Sequence, residues 1–387
     1  MKLAARFALP ATALFAVNAF AQPATDDETA QLRNDLEALR ARLEQLESAE
    51  AAANTGSGRV SLSGDLRYRH ESIDDDALPS LYRHRIRARF NVGARLAEDL
   101  TVGMTLATGG DNPVSANQTL GNGFSRKDIG FDRAFVAWRA SDTVTLRAGK
   151  MGLPMFRPAR NFLIFDNDLN PEGIAIGYDG DSVFANAMAF WVDERSVNDD
   201  AMLYGAQGGY RLAIGDAARL TVGASYYDYT NTQGFEPPFL GLAQGNSVDG
   251  AGNLINDYDL AEIFAELELE AGGQPLQVFV DIVENTEAQN FESGIALGAR
   301  WRDAGEPGTW EVAWVYEDLE ADAVIANFTD SDFAGGGTDG RGHVFRGVYA
   351  FRDNVDFTGT LFLNERGEAA GNERDYDRLQ LDINFRF

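Results

Sequence analysis

The last ten residues of the chain alternate between polar and apolar side chains without exception. Odd positions from Leu379 to Phe387 are all apolar, whereas even positions from Arg378 to Arg386 are all polar. Because successive side chains of a β-strand point to opposite faces, this pattern predicts a strand with one apolar and one polar face. The same period of two recurs from residue 59 onwards, and no stretch there shows helical spacing of comparable strength. The pattern predicts an all-β fold over residues 59–387.

Sixteen segments of this kind can be counted, and the connections between them alternate in length. Short connections such as 97–99 and 141–142 are followed by longer, Gly- and Asp-rich ones such as 110–128. Short turns at one end and long loops at the other are typical of a transmembrane antiparallel β-barrel, and about 16 strands leave an aqueous channel. The predicted strands are 59–72, 81–96, 100–109, 129–140, 143–150, 172–178, 182–192, 202–212, 219–229, 258–270, 276–285, 291–302, 308–317, 343–351, 355–365 and 375–387.

The composition fits such a barrel, although it resembles that of an acidic soluble protein. The 387 residues include 60 Asp and Glu, 33 Lys and Arg and no Cys, which gives a formal net charge of -27. Only every second residue of a barrel strand faces lipid, so half of each strand can be charged. The negative charge argues against a nucleic-acid partner, which needs basic surfaces. The absence of Cys excludes disulfides and thiolate metal sites.

The N-terminal 21 residues have the three parts of a secretory signal peptide. Lys2 and Arg6 form a basic start, residues 7–20 are almost wholly apolar, and Ala19 and Ala21 are small residues at the cleavage site. A buried N-terminal helix is the alternative interpretation. We predict cleavage after Ala21 and export, which places the protein in the outer membrane of a Gram-negative bacterium once the barrel is taken into account.

Residues 25–53 predict a short coiled-coil helix that precedes the barrel. This stretch contains neither Gly nor Pro, and five leucines follow the 4, 3, 4, 3 spacing of an a/d repeat. These leucines are Leu32, Leu36, Leu39, Leu43 and Leu46. About three heptads are marginal for an isolated helix, so we favour a small parallel oligomerisation stalk over a solvated helix that packs on its own domain. Residues 54–58 predict a flexible linker.

The strand over 81–96 carries a row of arginines of one parity. An Arg side chain that faces lipid near the membrane midplane costs about 2–4 kcal/mol, so the row is expected to face the water-filled lumen. A second strand, 258–270, carries glutamates in the same manner. The candidate pore-lining basic residues are Arg67, Arg69, Arg83, Arg85, Arg87 and Arg89, and the acidic ones are Glu262, Glu266, Glu268 and Asp281. Together the two rows would set a transverse field across the pore, or would merely keep the lumen wet and pair with neighbouring loops.

The connection 151–171 is too apolar for a fully solvated loop. It mixes Phe162, Leu163, Ile164 and Phe165 with charged residues. We predict that it packs inside the barrel as a constriction; packing over the mouth or at a subunit contact is the alternative. The constriction candidates are Phe156, Arg157, Arg160, Asp166 and Asp168.

Catalytic and cofactor motifs find little support in this sequence. The three histidines, His70, His84 and His343, lack metal-ligand spacing, and there is no nucleophile elbow or phosphate-binding Gly loop. An esterase could be imagined around His70 and His84 with Ser72 or Ser80. A pair of histidines at the rim of the barrel is the simpler interpretation, so we predict no enzyme, no cofactor and no metal.

Three stretches carry a family resemblance. GDNPVSANQTLGNGFSRKDIGFDRAFVAW (110–138), DNDLNPEGIAIGY (166–178) and FTDSDFAGGGTDG (328–340) resemble parts of the putative outer-membrane porins of Gram-negative bacteria. More distantly, the layout is similar to phosphate- and pyrophosphate-type porins, which can also carry a short N-terminal coiled coil. The resemblance implies a channel, and a trimeric one. It supplies no substrate, because Lys2, Lys127 and Lys150 are the only lysines and the lysine-rich interior of phosphate channels is missing.

The function predicted from the sequence is that of an outer-membrane porin for passive diffusion of small hydrophilic solutes or ions. The expected partners are outer-membrane lipid, lipopolysaccharide and two further copies of the chain. Acidic loops that bind divalent cations would relieve their repulsion by lipopolysaccharide. The alternatives are a structural protein that anchors the envelope through its stalk and, last, the esterase.

Overall fold

The computed structural model describes residues 59–215 and 217–387. The predicted signal peptide, coiled-coil helix and linker (1–21, 25–53 and 54–58) lie outside the described residues. The strands are β1 (Val60–Asp75), β2 (Leu78–Arg95), β3 (Leu100–Thr108), β4 (Gln118–Thr119), β5 (Ile129–Arg139), β6 (Val144–Lys150), β7 (Glu172–Asp179), β8 (Val183–Asp193), β9 (Ala201–Ile214), β10 (Ala218–Tyr229), β11 (Tyr258–Ala271), β12 (Gln274–Asn285), β13 (Ser293–Trp301), β14 (Trp310–Leu319), β15 (Gly340–Arg352), β16 (Val355–Arg366) and β17 (Arg374–Arg386). Three short 3-10 helices, Pro158–Arg160, Ala326–Phe328 and Phe333–Gly335, lie in the described connections.

These strands form one closed antiparallel sheet. Each barrel strand pairs with the next one along the chain, and β17 pairs with β1 from Asp65 opposite Arg386 to Asp75 opposite Tyr376. The two-residue strand β4 only extends the pairing of β2, so the wall has 16 strands, as predicted. Closure satisfies the backbone groups of every strand without water, which is the condition for crossing hydrocarbon.

Except for the two-residue connection between β1 and β2, the connections are sorted by length between the two ends of the barrel. Turns such as the one between β11 and β12 contain two residues, Gly272 and Gly273, both with positive φ. At the opposite end, long loops cover 109–128, 151–171, 230–257 and 320–339. The first hairpin is tighter than the sequence predicted, since β1 continues to Asp75 and β2 begins at Leu78. Backbone pairing extends there beyond the stretch of regular polar–apolar alternation.

The outer face of the barrel is apolar and the inner face is polar or packed. On each strand, every second residue points outward. Ile174, Ile263 and Val278 are examples of large apolar side chains exposed on this outer face. In the described portion, no helix is long and apolar enough to cross a membrane. The buried apolar cluster lies within the barrel, where side chains from loop 151–171 pack against the inner faces of β7 to β14. One side of the lumen is therefore filled by protein.

Candidate functional site

Loop 151–171, called the inner loop below, folds into the barrel and is fixed to the wall formed by β9, β11 and β12. The Ala159 N–H donates to the carboxylate of Glu266 on β11. The Asn161 side-chain amide donates to Asp281 on β12, with 2.8 Å between Nδ2 and Oδ2. The side chain of Gln207 on β9 bonds both backbone groups of Phe156, at 2.8 and 2.9 Å. The inner loop therefore adopts the inward position that its apolar content predicted.

Local sequence explains this path of the inner loop. Pro158 begins a 3-10 turn, and Ala159 then takes a positive φ of 49°, which turns the chain back. Phe156 packs between Phe184 and Phe264, with ring centroids 5.4 and 5.5 Å away. Aromatic contacts of this kind add to the apolar area that is removed from water. The loop is held by apolar packing and by hydrogen bonds together.

The charged residues of the inner loop have distinct positions. Arg157 donates to the backbone oxygen of Phe165 at 2.7 Å and stabilises the loop itself. Arg160 is exposed. Asp166 is buried and accepts a hydrogen bond from the Ser331 N–H at 3.0 Å. Burial, with the neighbouring carboxyls of loop 320–339 and of the inner loop, raises the pKa of Asp166 well above its ordinary value.

Asp168 connects the inner loop to the arginine row, the name used here for Arg67, Arg69, Arg83, Arg85, Arg87 and Arg89 of β1 and β2. Its carboxylate lies 3.6 Å from Arg87 Nη1 and 3.3 Å from Arg89 Nη1, both on β2. It is also 3.5 Å from the N–H of Ala116 in loop 109–128. The inner loop thus extends from β9–β12 across the lumen to β2, and the open cross-section of the barrel is reduced accordingly.

The arginines predicted on β1 and β2 all face the inside of the barrel. Arg67 lies opposite Arg87 and Arg69 opposite Arg85 in the antiparallel register. Like charges opposite each other in a sheet repel, so the row needs counter-charges. Asp65, of the same parity, lies 2.9 Å from both Arg87 and Arg89.

Further counter-charges come from distant parts of the chain. Asp382 on β17 binds Arg69 through both oxygens, at 2.7 and 2.8 Å. Asp332 of loop 320–339 lies 3.0 Å from Arg69 and 2.6 Å from Arg378. Although burial acts in the opposite direction, Arg378 and then Arg69 lower the pKa of Asp332 below its ordinary range. Glu71 pairs with both Arg83 and Arg378.

The sequence allowed for pairing of the arginine row with neighbouring loops, but it did not single out these partners. Asp65 and Glu71 share the parity of Arg67 and Arg69, so their inward position could have been read from β1 itself. No local signal predicts that Asp332 reaches the same place, because the contact joins positions 263 residues apart.

The acidic row is largely covered. Glu262, Glu266 and Asp281 face inward but are only 3%, 5% and 2% exposed, because the inner loop lies on them. Glu268, nearer the short turns, is exposed. No Lys or Arg forms an ion pair with these four carboxyls among residues 59–215 and 217–387. They lie along the wall that anchors the inner loop.

The three histidines lie on the outer face of the barrel. The rings of His70 and His84 are 4.9 Å apart, and His84 Nδ1 is 2.7 Å from the hydroxyl of Tyr68. The Ser80 hydroxyl donates to Asp74. Among the described residues, no hydrogen bond joins a serine to either imidazole, and no cluster of three or more potential metal ligands occurs. This pattern differs from a nucleophile–base pair.

Comparison with known proteins agrees with this geometry. The model of a family described as "Putative porin" matches residues 74–251 and 251–387. The chain belongs to this porin family. In fold, the porin is similar to Pseudomonas putida OprB, with a TM-score of 0.58 at 10% identity over 88% of this chain and 97% of that one. A mutant of the Rhodopseudomonas blastica porin gives a TM-score of 0.50 at 14% identity, over 85% of this chain and 100% of that one. No curated protein matches the chain.

Family and fold together identify an integral outer-membrane porin that forms a channel. They point to a non-enzymatic channel. The arginine row, the inner loop and loop 320–339 all lie inside this barrel.

Proposed function

We propose that this porin passes small hydrophilic solutes or ions by passive diffusion, through the part of the lumen that the inner loop leaves open. The observation that supports this most directly is the contact of Asp168 with Arg87 and Arg89. On this proposal, charged groups of both signs lie at the narrowed part of the lumen. A solute that enters there exchanges water for charged side chains, which favours hydrophilic solutes over apolar ones.

Conductance of the purified, folded protein in planar lipid bilayers tests this proposal. Discrete ion-conducting steps are expected in potassium chloride. Their absence, with a folded barrel verified by circular dichroism, would contradict passive diffusion.

We also propose that the charge preference of the pore is set by the arginine row, with Glu268 as the member of the acidic row that remains open to the lumen. Glu262, Glu266 and Asp281 then serve mainly to hold the inner loop on the wall. A reversal potential measured in a salt gradient for an Arg85→Ala, Arg87→Ala double variant tests the role of the row. An anion-to-cation permeability ratio equal to that of the wild type would make the arginines incidental.

We propose that the signal peptide is cleaved after Ala21 and that the mature protein assembles as a homotrimer. Tyr68, His70 and His84 support a subunit contact on β1 and β2, since they group polar atoms on a mostly apolar outer wall. Leu78 and Tyr82 are exposed on the same hairpin, 64% and 69%. Elsewhere the outer wall contacts outer-membrane lipid. The acidic loops contact lipopolysaccharide through divalent cations. Mass measurement by light scattering tests the trimer.

A structural role in the envelope is the second candidate function, and the leucine repeat over 25–53 favours it. If the stalk holds the barrel to the periplasm or to other chains, deletion of residues 26–53 should weaken assembly or envelope integrity. An unchanged oligomer would assign assembly to the barrel wall.

A further inference from the structure

Around the arginine row, the arginines outnumber the carboxylates that pair with them. The group comprises seven arginines, the six predicted to line the pore on β1 and β2 and Arg378 of β17, and all of them except Arg85 share five carboxylates within ion-pair distance. These carboxylates are Asp65, Glu71, Asp168, Asp332 and Asp382. Most of the row is therefore an array of ion pairs, and its surplus positive charge has to lie at particular members.

The surplus lies at Arg67 and Arg85. Arg67 approaches a carboxylate only at 3.9 Å, and that group, Asp382, is already bound by Arg69 through both oxygens. Arg85 makes no ion pair among the described residues. The Nε atoms of Arg67 and Arg85 are buried and have no hydrogen-bond partner within that same portion of the chain.

Both guanidinium groups converge on one residue of loop 109–128. Arg67 Nη2 donates to the side-chain oxygen of Asn117 at 2.6 Å, and Arg85 Nη2 donates to its backbone oxygen at 3.3 Å. Each guanidinium has five N–H donors, so most donors of the pair have no partner among the described residues. A buried charge without a counter-charge is costly, and a planar guanidinium matches an oxyanion through two parallel hydrogen bonds.

We propose that Arg67 and Arg85, beside Asn117, form a binding subsite for a small oxyanion in the lumen of this porin. The subsite rests on the proposed diffusion function and gives it a substrate class: solutes that carry a carboxylate, sulfate or similar group pause there during passage. The other arginines of the row contribute less, because protein carboxylates already occupy them.

Binding is tested with inorganic sulfate and the whole detergent-folded chain in a titration calorimeter. Sulfate keeps its charge over the working pH range. An Arg67→Gln, Arg85→Gln double variant should bind sulfate at least tenfold more weakly than the wild type. Arg219→Gln is the matched control, because this exposed arginine shares the inward parity of Thr221 on β10 but lies near the short turns. It should bind sulfate like the wild type.

A second variant keeps the test decisive if the double variant does not fold. Asn117→Asp adds a carboxylate next to both guanidinium groups and removes no arginine, so it should favour folding while abolishing sulfate binding. Wild-type affinity in either variant would overturn the subsite, as would the absence of sulfate binding in the wild type.

Conductance separates this inference from the proposed function. Sulfate added to potassium chloride should reduce the wild-type chloride current in a saturable manner and should do so much less in Asn117→Asp. Sulfate binding without any conductance would support the subsite and contradict passive diffusion. Conductance without any effect or binding of sulfate would contradict the subsite alone.

Discussion

Replacing Asp168 by Asn removes one negative charge from the narrowed part of the lumen and keeps a similar side-chain shape. The carboxylate is 17% exposed and contacts two arginines of β2 at 3.3 and 3.6 Å, so it is open enough to act on a passing ion. A unit charge about 5 Å from an ion contributes about 0.8 kcal/mol at the dielectric constant of water. Screening at 0.1 M salt, with a Debye length of about 10 Å, reduces this to about 0.5 kcal/mol.

That energy predicts the size and the salt dependence of the effect. Loss of the charge raises the local anion concentration about 2.3-fold and lowers the cation concentration by the same factor, so the permeability ratio shifts about fivefold toward anions. At 1 M salt the Debye length is about 3 Å, and the remaining energy of about 0.15 kcal/mol gives a shift below twofold. Reversal potentials across bilayers at the two salt concentrations measure both values.

Asp179→Asn is the matched control for this prediction. Asp179 also pairs with an arginine, Arg211 at 2.7 Å, but its side chain is 76% exposed at the short-turn end of β7. The same charge change there should leave the permeability ratio almost unchanged. Equal shifts in the two variants, or a shift for Asp168→Asn that does not fall with salt, would refute the assignment of the constriction to the inner loop.

Three further predictions concern stability. Leu163→Ala should lower the free energy of unfolding by about 2–5 kcal/mol in a denaturant titration, because Leu163 is fully buried. Leu240 is 74% exposed, so Leu240→Ala is the control and should be near neutral in the same titration. Burial, and then the neighbouring Asp332, raise the pKa of Asp330 to about 7. The Asp330 carboxyl therefore binds more protons in the folded state than in the unfolded state, so its contribution to stability falls as pH rises from about 4 to 7. Asp330→Asn should flatten that part of the pH profile of the unfolding midpoint, and an unchanged slope would count against the buried carboxyl. Deleting Phe387 removes two backbone hydrogen bonds to Gly64, at 2.8 and 3.0 Å, and should lower the folded fraction seen as a heat-modifiable band on gels.

The sequence predicts the wall of this barrel better than its contents. Period-two alternation gives the strands, their number and the inward parity of Arg67 and its neighbours, because these depend on residues close together in the chain. The apolar residues of the inner loop also predict that it lies inside. Glu262 and Asp281 are covered because the inner loop attaches to their strands. Period-two alternation along a strand does not predict where a loop attaches. Likewise, the contact of Asp332 with Arg69 depends on how loop 320–339 folds, and no local pattern determines it.

Closure of the barrel through β1 and β17 has a consequence for how the chain folds. Arg69 meets Asp382 across 313 positions, so the last barrel contacts and part of the charge balance of the lumen cannot form until the C-terminus has arrived. Contacts of such separation make folding slow, because a long segment has to be ordered before they contribute. Any shorter intermediate has two unpaired strand edges, which hydrocarbon does not tolerate. Insertion and closure are therefore expected to be one concerted event, with the arginine row solvated by water until that moment.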